Sequence, residues 1–211
     1  MERKLSTIFA SDVVGFSKMM AANEEMTLEL LQQRRLVIDG VIAEHDGSIF
    51  GTAGDSVIAE FASPIRATQC AVQMQGKMQA MNEDVPKEQR MVFRVGINIG
   101  DVMVSDDNLF GDAVNIAARL EAEAKPDGIC ISKSVLDMVS QKLQVSYQDA
   151  GELEAVSGQT GCEANVVMIR MSVHDKMFVG RHRIHTHVVI RRLSAQRRNP
   201  TGHEVVDSLA I

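Results

Sequence analysis

Ile8-Phe9-Ala10-Ser11-Asp12-Val13-Val14-Gly15-Phe16-Ser17 is the stretch on which the fold turns. It starts as a short apolar strand, presents one carboxylate at Asp12, turns at Gly15 and enters a helical pattern at Phe16. A strand that hands an Asp to a glycine turn and a helix start suits divalent metal and phosphate together. The carboxylate is the hard oxygen ligand that magnesium prefers, and the first N–H groups of a helix attract polyphosphate. Alone, an Asp at a strand end is equally a structural feature of α/β sheets. The remaining elements decide between the two.

Downstream of this stretch, apolar residues recur at helical spacing from Phe16 to His45, with a break near Asn23 that divides the run into two helices. Asp46-Gly47 stops the second helix and leads into a short strand, Ser48–Phe50. Gly51-Thr52-Ala53-Gly54-Asp55 reads as a tight turn before a strand Ser56–Phe61, which makes a hairpin with Asp55 at its tip. Pro64 opens an amphipathic helix that reaches about Asn82. Met91–Val104 is a long strand, with Val92, Arg94, Gly96 and Asn98 on one face and Phe93, Val95, Ile97 and Ile99 on the other. Asp106-Asp107-Asn108 forms a polar turn, and Gly111-Asp112 precedes a helix through Ala122. Ile129–Ser132, a short helix near Val135–Leu143 and a strand around Val145–Tyr147 complete the pattern. Strands alternating with helices, and one hairpin among them, predict a ferredoxin-like α+β sandwich.

Composition fits one such domain, or one domain plus an appendage. The chain has 211 residues, 45% hydrophobic and 24% charged, with 13 Met and no Trp, so an aliphatic core is expected. Cys70, Cys130 and Cys162 are odd in number and widely spaced, as expected of buried thiols in a reducing compartment. The N-terminal residues MERKLSTIF are too short an apolar run for a signal sequence, and no window approaches the roughly 18 apolar residues that span a bilayer. The expected location is cytoplasmic, with no membrane segment. Residues 1–154 hold 24 acids against 14 Lys and Arg, whereas residues 155–211 hold 4 against 8, together with five of the six histidines. The acidic body argues against a nucleic-acid partner, so an anionic substrate must be held locally, most simply through a metal.

Asp12 and Asp55 close one strand and open another. In a βαβ-type sheet those ends lie side by side, and two neighbouring carboxylates favour a divalent cation between them. The structural alternative makes Asp55 only a turn former. In Asn108-Leu109-Phe110-Gly111-Asp112-Ala113-Val114-Asn115-Ile116-Ala117-Ala118-Arg119-Leu120-Glu121, Asn115 and Arg119 stand four apart on one helix face. An amide beside a permanent guanidinium matches a polar and anionic target such as ribose plus phosphoryl group. The structural alternative is a solvated ion pair of Arg119 with an acid such as Glu123.

Five segments in order now carry a resemblance. They are FASDVVGFS at 9–17, TAGDSVIAEF at 52–61, FRVGINIGDV at 93–102, GDAVNIAARL at 111–120 and GICIS at 128–132. Over about residues 5–150 the chain resembles the class III nucleotidyl cyclase catalytic domain, the adenylate and guanylate cyclase homology domain. The resemblance implies a homodimer with each active site shared across the interface and two Mg2+ (or Mn2+) ions as cofactors. Asp12 and Asp55 would be the metal carboxylates and the Val13 carbonyl a further ligand. The N–H groups of Val14, Gly15, Phe16 and Ser17 would hold the terminal phosphates. From the other subunit, Asn115 would orient the ribose and Arg119 would stabilise the charge that builds on phosphorus. The expected activity is conversion of a nucleoside triphosphate, ATP by analogy with bacterial relatives, to a 3′,5′-cyclic nucleotide and pyrophosphate. The alternative is a weak or inactive cyclase-homology domain that binds nucleotide or dimerises without turnover.

The chain departs from the family pattern at three places. The base-reading positions hold Gly51, which offers no side chain, and Asn108, whose amide both donates and accepts, so the base stays open. After residue 152 the family's closing hairpin supplies a phosphate-contacting Lys, but 153–170 reads LEAVSGQTGCEANVVMIR, without Lys or Pro, although Val166–Ile169 retains strand character. The division expected is therefore a catalytic domain at 1–152 and an atypical basic, His-rich segment at 153–211. His182, His185 and His187 are too loosely spaced, with no Cys or acid nearby, to read as a metal site.

Overall fold

A computed structural model describes residues 2–105, 108–143, 146–154 and 163–170. The strands are β1 (Glu2–Val13), β2 (Ser48–Ala53), β3 (Ser56–Phe61), β4 (Phe93–Ser105), β5 (Asn108–Phe110), β6 (Ile129–Ser132), β7 (Ser146–Glu154) and β8 (Glu163–Arg170). The helices are α1 (Phe16–Ala22), α2 (Glu24–Glu44), α3 (Pro64–Asn82), α4 (Asp112–Glu123) and α5 (Lys133–Val139). The strands form one sheet in the order β2-β3-β1-β4-β6-β8-β7, with β5 folded back on β4. β1 lies antiparallel between β3 and β4, and β4 runs parallel to β6. This is the α+β sandwich expected from the alternation of elements.

The period-2 pattern of β1 and β4 assigns the two faces. Phe9, Val13, Phe93, Val95 and Ile97 point to the side covered by α2, α3 and α5, where they meet Ile38, Ile42, Met74, Met78 and Val135 in the main core. Full burial of one such side chain contributes roughly 1.5–3 kcal/mol. The opposite face presents Ile8, Ala10 and Val102 to Ala113 and Ala117 of α4. Here β4 is nearly bare: at Gly96 a Cβ would lie closer than 3.0 Å to the Ala117 carbonyl oxygen and the Glu121 amide nitrogen. Only glycine admits the helix backbone that close.

Several local expectations hold and others are corrected. The break at Asn23 is an N-cap, its side chain accepting from the Met26 N–H at 3.0 Å. Gly51 is not part of a turn. It lies in β2 opposite Ile58, next to a register shift that begins at Ile49, and the turn is confined to Gly54-Asp55. Asn108, read as a turn residue, opens strand β5 and pairs with Ser105. The strand expected around Val145–Tyr147 is described over Ser146–Glu154, and the Val166–Ile169 run forms part of β8, paired to both β6 and β7. His182, His185 and His187 lie outside the described residues, as does most of the segment from 155 onward. Among the described residues no helix is long and apolar enough to cross a membrane.

Gly96→Ala should force α4 away from β4. The expected cost is on the order of 3 kcal/mol, read as a lowered urea midpoint.

Candidate active site

Two strand ends and a hairpin tip build one half of the site. β1 delivers Asp12 on the α4 side of the sheet, while the next residue, Val13, buries its side chain in the main core. The β2–β3 hairpin folds its tip over that strand end, and Asp55 Oδ2 accepts the Val13 N–H at 3.1 Å. The two carboxylates that sequence placed at separate strand ends are thus brought together. Val14 corrects the expected row of phosphate donors, because its N–H donates to the Val92 carbonyl at 2.8 Å. The row of open donors therefore begins at Gly15, which N-caps α1 in a left-handed conformation (φ 72°), followed by Phe16 and Ser17 at the helix start.

Two partners that sequence reasoning missed lie beside Asp12. Arg94, directly opposite in the β1–β4 register, donates from Nη2 to Asp12 Oδ2 at 3.2 Å. The same Nη2 stands 3.0 Å from Oε1 of Glu121, a residue of the α4 inner face that is 9% exposed. Two carboxylates, Asp12 and Glu121, thus share one guanidinium, and the charge of Asp55 acts on both. Burial holds the Asp12 carboxyl above its ordinary range, with Arg94 opposing and Asp55 reinforcing the shift. For Glu121 burial is again foremost, the charge of Asp12 adds to it, and the carboxyl is pushed up to about 7. The alternation of β4 was the available signal for Arg94: it is the one charged residue in the Val92, Arg94, Gly96, Asn98 series.

Asp12 Oδ1 is buried without a hydrogen-bond partner, an arrangement that normally demands compensation. Excess negative charge surrounds it. Among the described residues no three His, Cys, Asp or Glu side chains form a ready-made metal cage. Magnesium commonly binds through one or two carboxylates and completes its shell with substrate phosphates and water, so the pair Asp12 and Asp55 fits that mode.

The two residues expected to act on ribose and phosphorus stand on α4. Its inner face buries Ala113, Ala117, Leu120 and Glu121, and its outer face exposes Asn115 and Arg119. At about 100° per residue the two sets point in nearly opposite directions. Asn115 and Arg119 share a face as expected, and that face is turned away from the sheet surface carrying Asp12. Gly51, in β2, brings no side chain to a base, and the Asn108 side chain is not among the described ones. A cleft of about 670 Å³ opens between β4 and the starts of α4 and α5, lined in part by Asn98, Phe110, Asp112 and Lys133. None of Asp12, Asp55, Asn115 or Arg119 lines it.

Residues 2–171 match the family model for the adenylate and guanylate cyclase catalytic domain. The chain belongs to the class III nucleotidyl cyclase family. It is 41% identical over 150 residues to putative adenylate cyclase 3 of Rhizobium meliloti (strain 1021), a match covering 71% of this chain and 26% of that protein. The chain thus spans about a quarter of the length of that curated relative. Its fold resembles the crystal structure of an adenylate/guanylate cyclase/hydrolase from Silicibacter pomeroyi, with a TM-score of 0.75 and 38% identity over 81% of this chain and 99% of that one. It also resembles the guanylate cyclase domain of RhGC from Catenaria anguillulae, solved in complex with GTP, at TM-score 0.66 and 21% identity over 81% of this chain and 98% of that one. At that identity the likeness is one of fold.

Glu121 makes the stability of this cyclase domain depend on pH. The folded state holds the Glu121 proton up to about 7, against 4.5 for the free side chain, so this group lowers stability as pH rises through that window. Glu121→Gln should flatten that fall. Urea midpoints compared at pH 5 and pH 8 in chelator would show it.

Proposed function

We propose that the chain is a nucleotidyl cyclase that converts a nucleoside triphosphate, ATP foremost, to a 3′,5′-cyclic nucleotide and pyrophosphate at sites shared between two copies of the chain. The observation that carries this reading is the orientation of α4. A subunit whose carboxylates lie under the helix and whose Asn115 and Arg119 lie on its outside holds two halves that a second copy must complete.

In this mechanism Asp12 and Asp55, with the Val13 carbonyl, would hold two magnesium or manganese ions. When bound, these would supply the Lewis acidity that lowers the pKa of the ribose 3′-hydroxyl and offsets the charge of departing pyrophosphate. The open N–H groups of Gly15, Phe16 and Ser17 cradle the terminal phosphates. Asn115 of one subunit orients the ribose in its partner's site, so that the 3′-oxygen faces the α-phosphorus. A bond forms between these two atoms, the bond from the α-phosphorus to the bridging oxygen breaks, and the 3′-hydroxyl proton leaves for solvent. Arg119 stabilises the charge gathering on phosphorus, a role whose loss costs about two to three orders of magnitude in rate.

Gly51 favours a second reading, a weakly active or non-catalytic nucleotide-binding domain. With no side chain at that position, and no Lys in 153–170, less of the nucleotide is gripped. Purified protein with manganese and each of four nucleoside triphosphates distinguishes the two. Cyclic product supports the first, and thermal stabilisation by nucleotide without product supports the second. The shared site predicts more: Asp55→Ala and Arg119→Ala should each be nearly inactive. Mixed in equal amounts they should recover roughly a quarter of wild-type activity, because half the dimers then carry one intact site.

A further inference from the structure

Two buried amides of α3 hold the segment to which the glycine turn between β1 and α1 is fastened. Gln75 and Asn82 stand seven residues apart, two turns along one helix face, and both are buried. Gln75 Nε2 donates to the Phe93 carbonyl at 3.0 Å and to the Gly128 carbonyl at 3.1 Å, while its own Oε1 is buried without a partner. Asn82 grips Met91 at two points: Nδ2 donates to the Met91 carbonyl at 2.8 Å, and Oδ1 accepts the Met91 N–H at 3.3 Å. Arg34 of α2 secures Asn82 in its turn, Nη2 donating to Asn82 Oδ1 at 3.3 Å and to the Met81 carbonyl at 3.2 Å. Among the described residues no acid pairs with this buried guanidinium, and its charge lies against the carbonyl end of α3.

These holds have a consequence one residue away. Successive carbonyls of an extended chain point to opposite sides. With the carbonyls of Met91 and Phe93 fixed by α3, the Val92 carbonyl between them is aimed at the end of β1, where it accepts the Val14 N–H at 2.8 Å. Val14 directly precedes Gly15, whose left-handed conformation starts α1. That helix has no buried residue, and only Phe16 and Met19 pack partly on the core, so packing alone does not fix where its first N–H groups point.

We propose that Asn82, seated by Arg34 and assisted by Gln75, is a positioning residue for the phosphate-binding turn at Gly15, Phe16 and Ser17. Fixing the Val92 carbonyl fixes the Val14 amide, and with it the direction of the open N–H groups that follow. The hold is polar and directional, so an apolar side chain of similar size keeps the packing and loses the aim. That the turn takes phosphates rests on the cyclase reading above, whereas the hold of Asn82 on its conformation does not.

Asn82→Leu tests both the hold and its purpose. Hydrogen exchange followed at single amides should quicken about tenfold at Val14 and stay unchanged at Phe9, in the middle of β1. An unchanged rate at Val14, or an equal rise at both amides, overturns the proposal. Tripolyphosphate with magnesium probes the turn without a nucleoside, and its affinity by titration calorimetry should weaken about tenfold. Manganese binding followed by electron paramagnetic resonance without phosphate should stay as in wild type, which a general loss of structure would not allow. In the cyclase assay KM for the nucleoside triphosphate should rise by a similar factor, with kcat within about twofold. Equal tripolyphosphate affinities in variant and wild type overturn the proposal. A wild type that binds tripolyphosphate but forms no cyclic product overturns the cyclase reading, and the comparison of affinities still decides the inference. A wild type that binds no tripolyphosphate overturns the phosphate role, and the exchange rates then judge the hold on the turn. Should Asn82→Leu fail to fold, Arg34→Met keeps the packing of the stem and removes the donor to Asn82. It should weaken tripolyphosphate binding about threefold, and an unchanged affinity would count against the proposal.

Discussion

The close approach of α4 to β4 is the constraint on which the arrangement of this domain depends. Gly96 removes a side chain that would hold the two backbones apart, and Ala113 and Ala117 keep the helix surface thin. The helix then lies flat across β1 and β4, and its final turn reaches the end of β1 where Asp12 emerges. A bulkier strand would lift α4 outward and separate Glu121 from Arg94 and Asp12. The ion cluster therefore follows from backbone packing, rather than being the cause of it.

The carboxylate pair has a different origin. Asp55 sits at a two-residue turn, a position with little packing of its own, and is fastened by one hydrogen bond to the Val13 amide. That bond aims a turn residue at a strand end from an adjacent hairpin. The charges gathered there oppose one another, and Arg94 offsets only part of the repulsion. Such an arrangement is costly for the folded chain alone and useful to a chain that receives a cation with its phosphates. The proposed chemistry and the electrostatic imbalance thus have the same source.

What was legible in the sequence was whatever depends on spacing along one element. The alternation in β4, the four-residue step from Asn115 to Arg119, the Gly-Asp hairpin tip and the break at Asn23 are local patterns, and each appears where it was expected. Relations between elements were less accessible. Arg94 reads as one polar residue in a strand until the register places it opposite Asp12. Glu121 reads as one more acid in an acidic helix until Gly96 draws it against the sheet. The Val14 amide seemed free because its acceptor, the Val92 carbonyl, lies 78 positions away. Gly51 was placed in the turn because glycine and threonine signal turns, yet pairing with Ile58 and the neighbouring bulge kept it in the strand. Tertiary pairing overruled local preference there.

The two opposed faces of α4 have a consequence for when the protein works at all. On the proposed reading, a lone subunit possesses every reactive group yet assembles none of them, since its own helix points its Asn115 and Arg119 away from its own carboxylates. Output then depends on encounters between copies. While subunits are mostly apart, the amount of complete machinery grows with the square of their concentration, so a modest rise in abundance gives a disproportionate rise in product. The geometry of one twelve-residue helix would make synthesis a census of the protein itself.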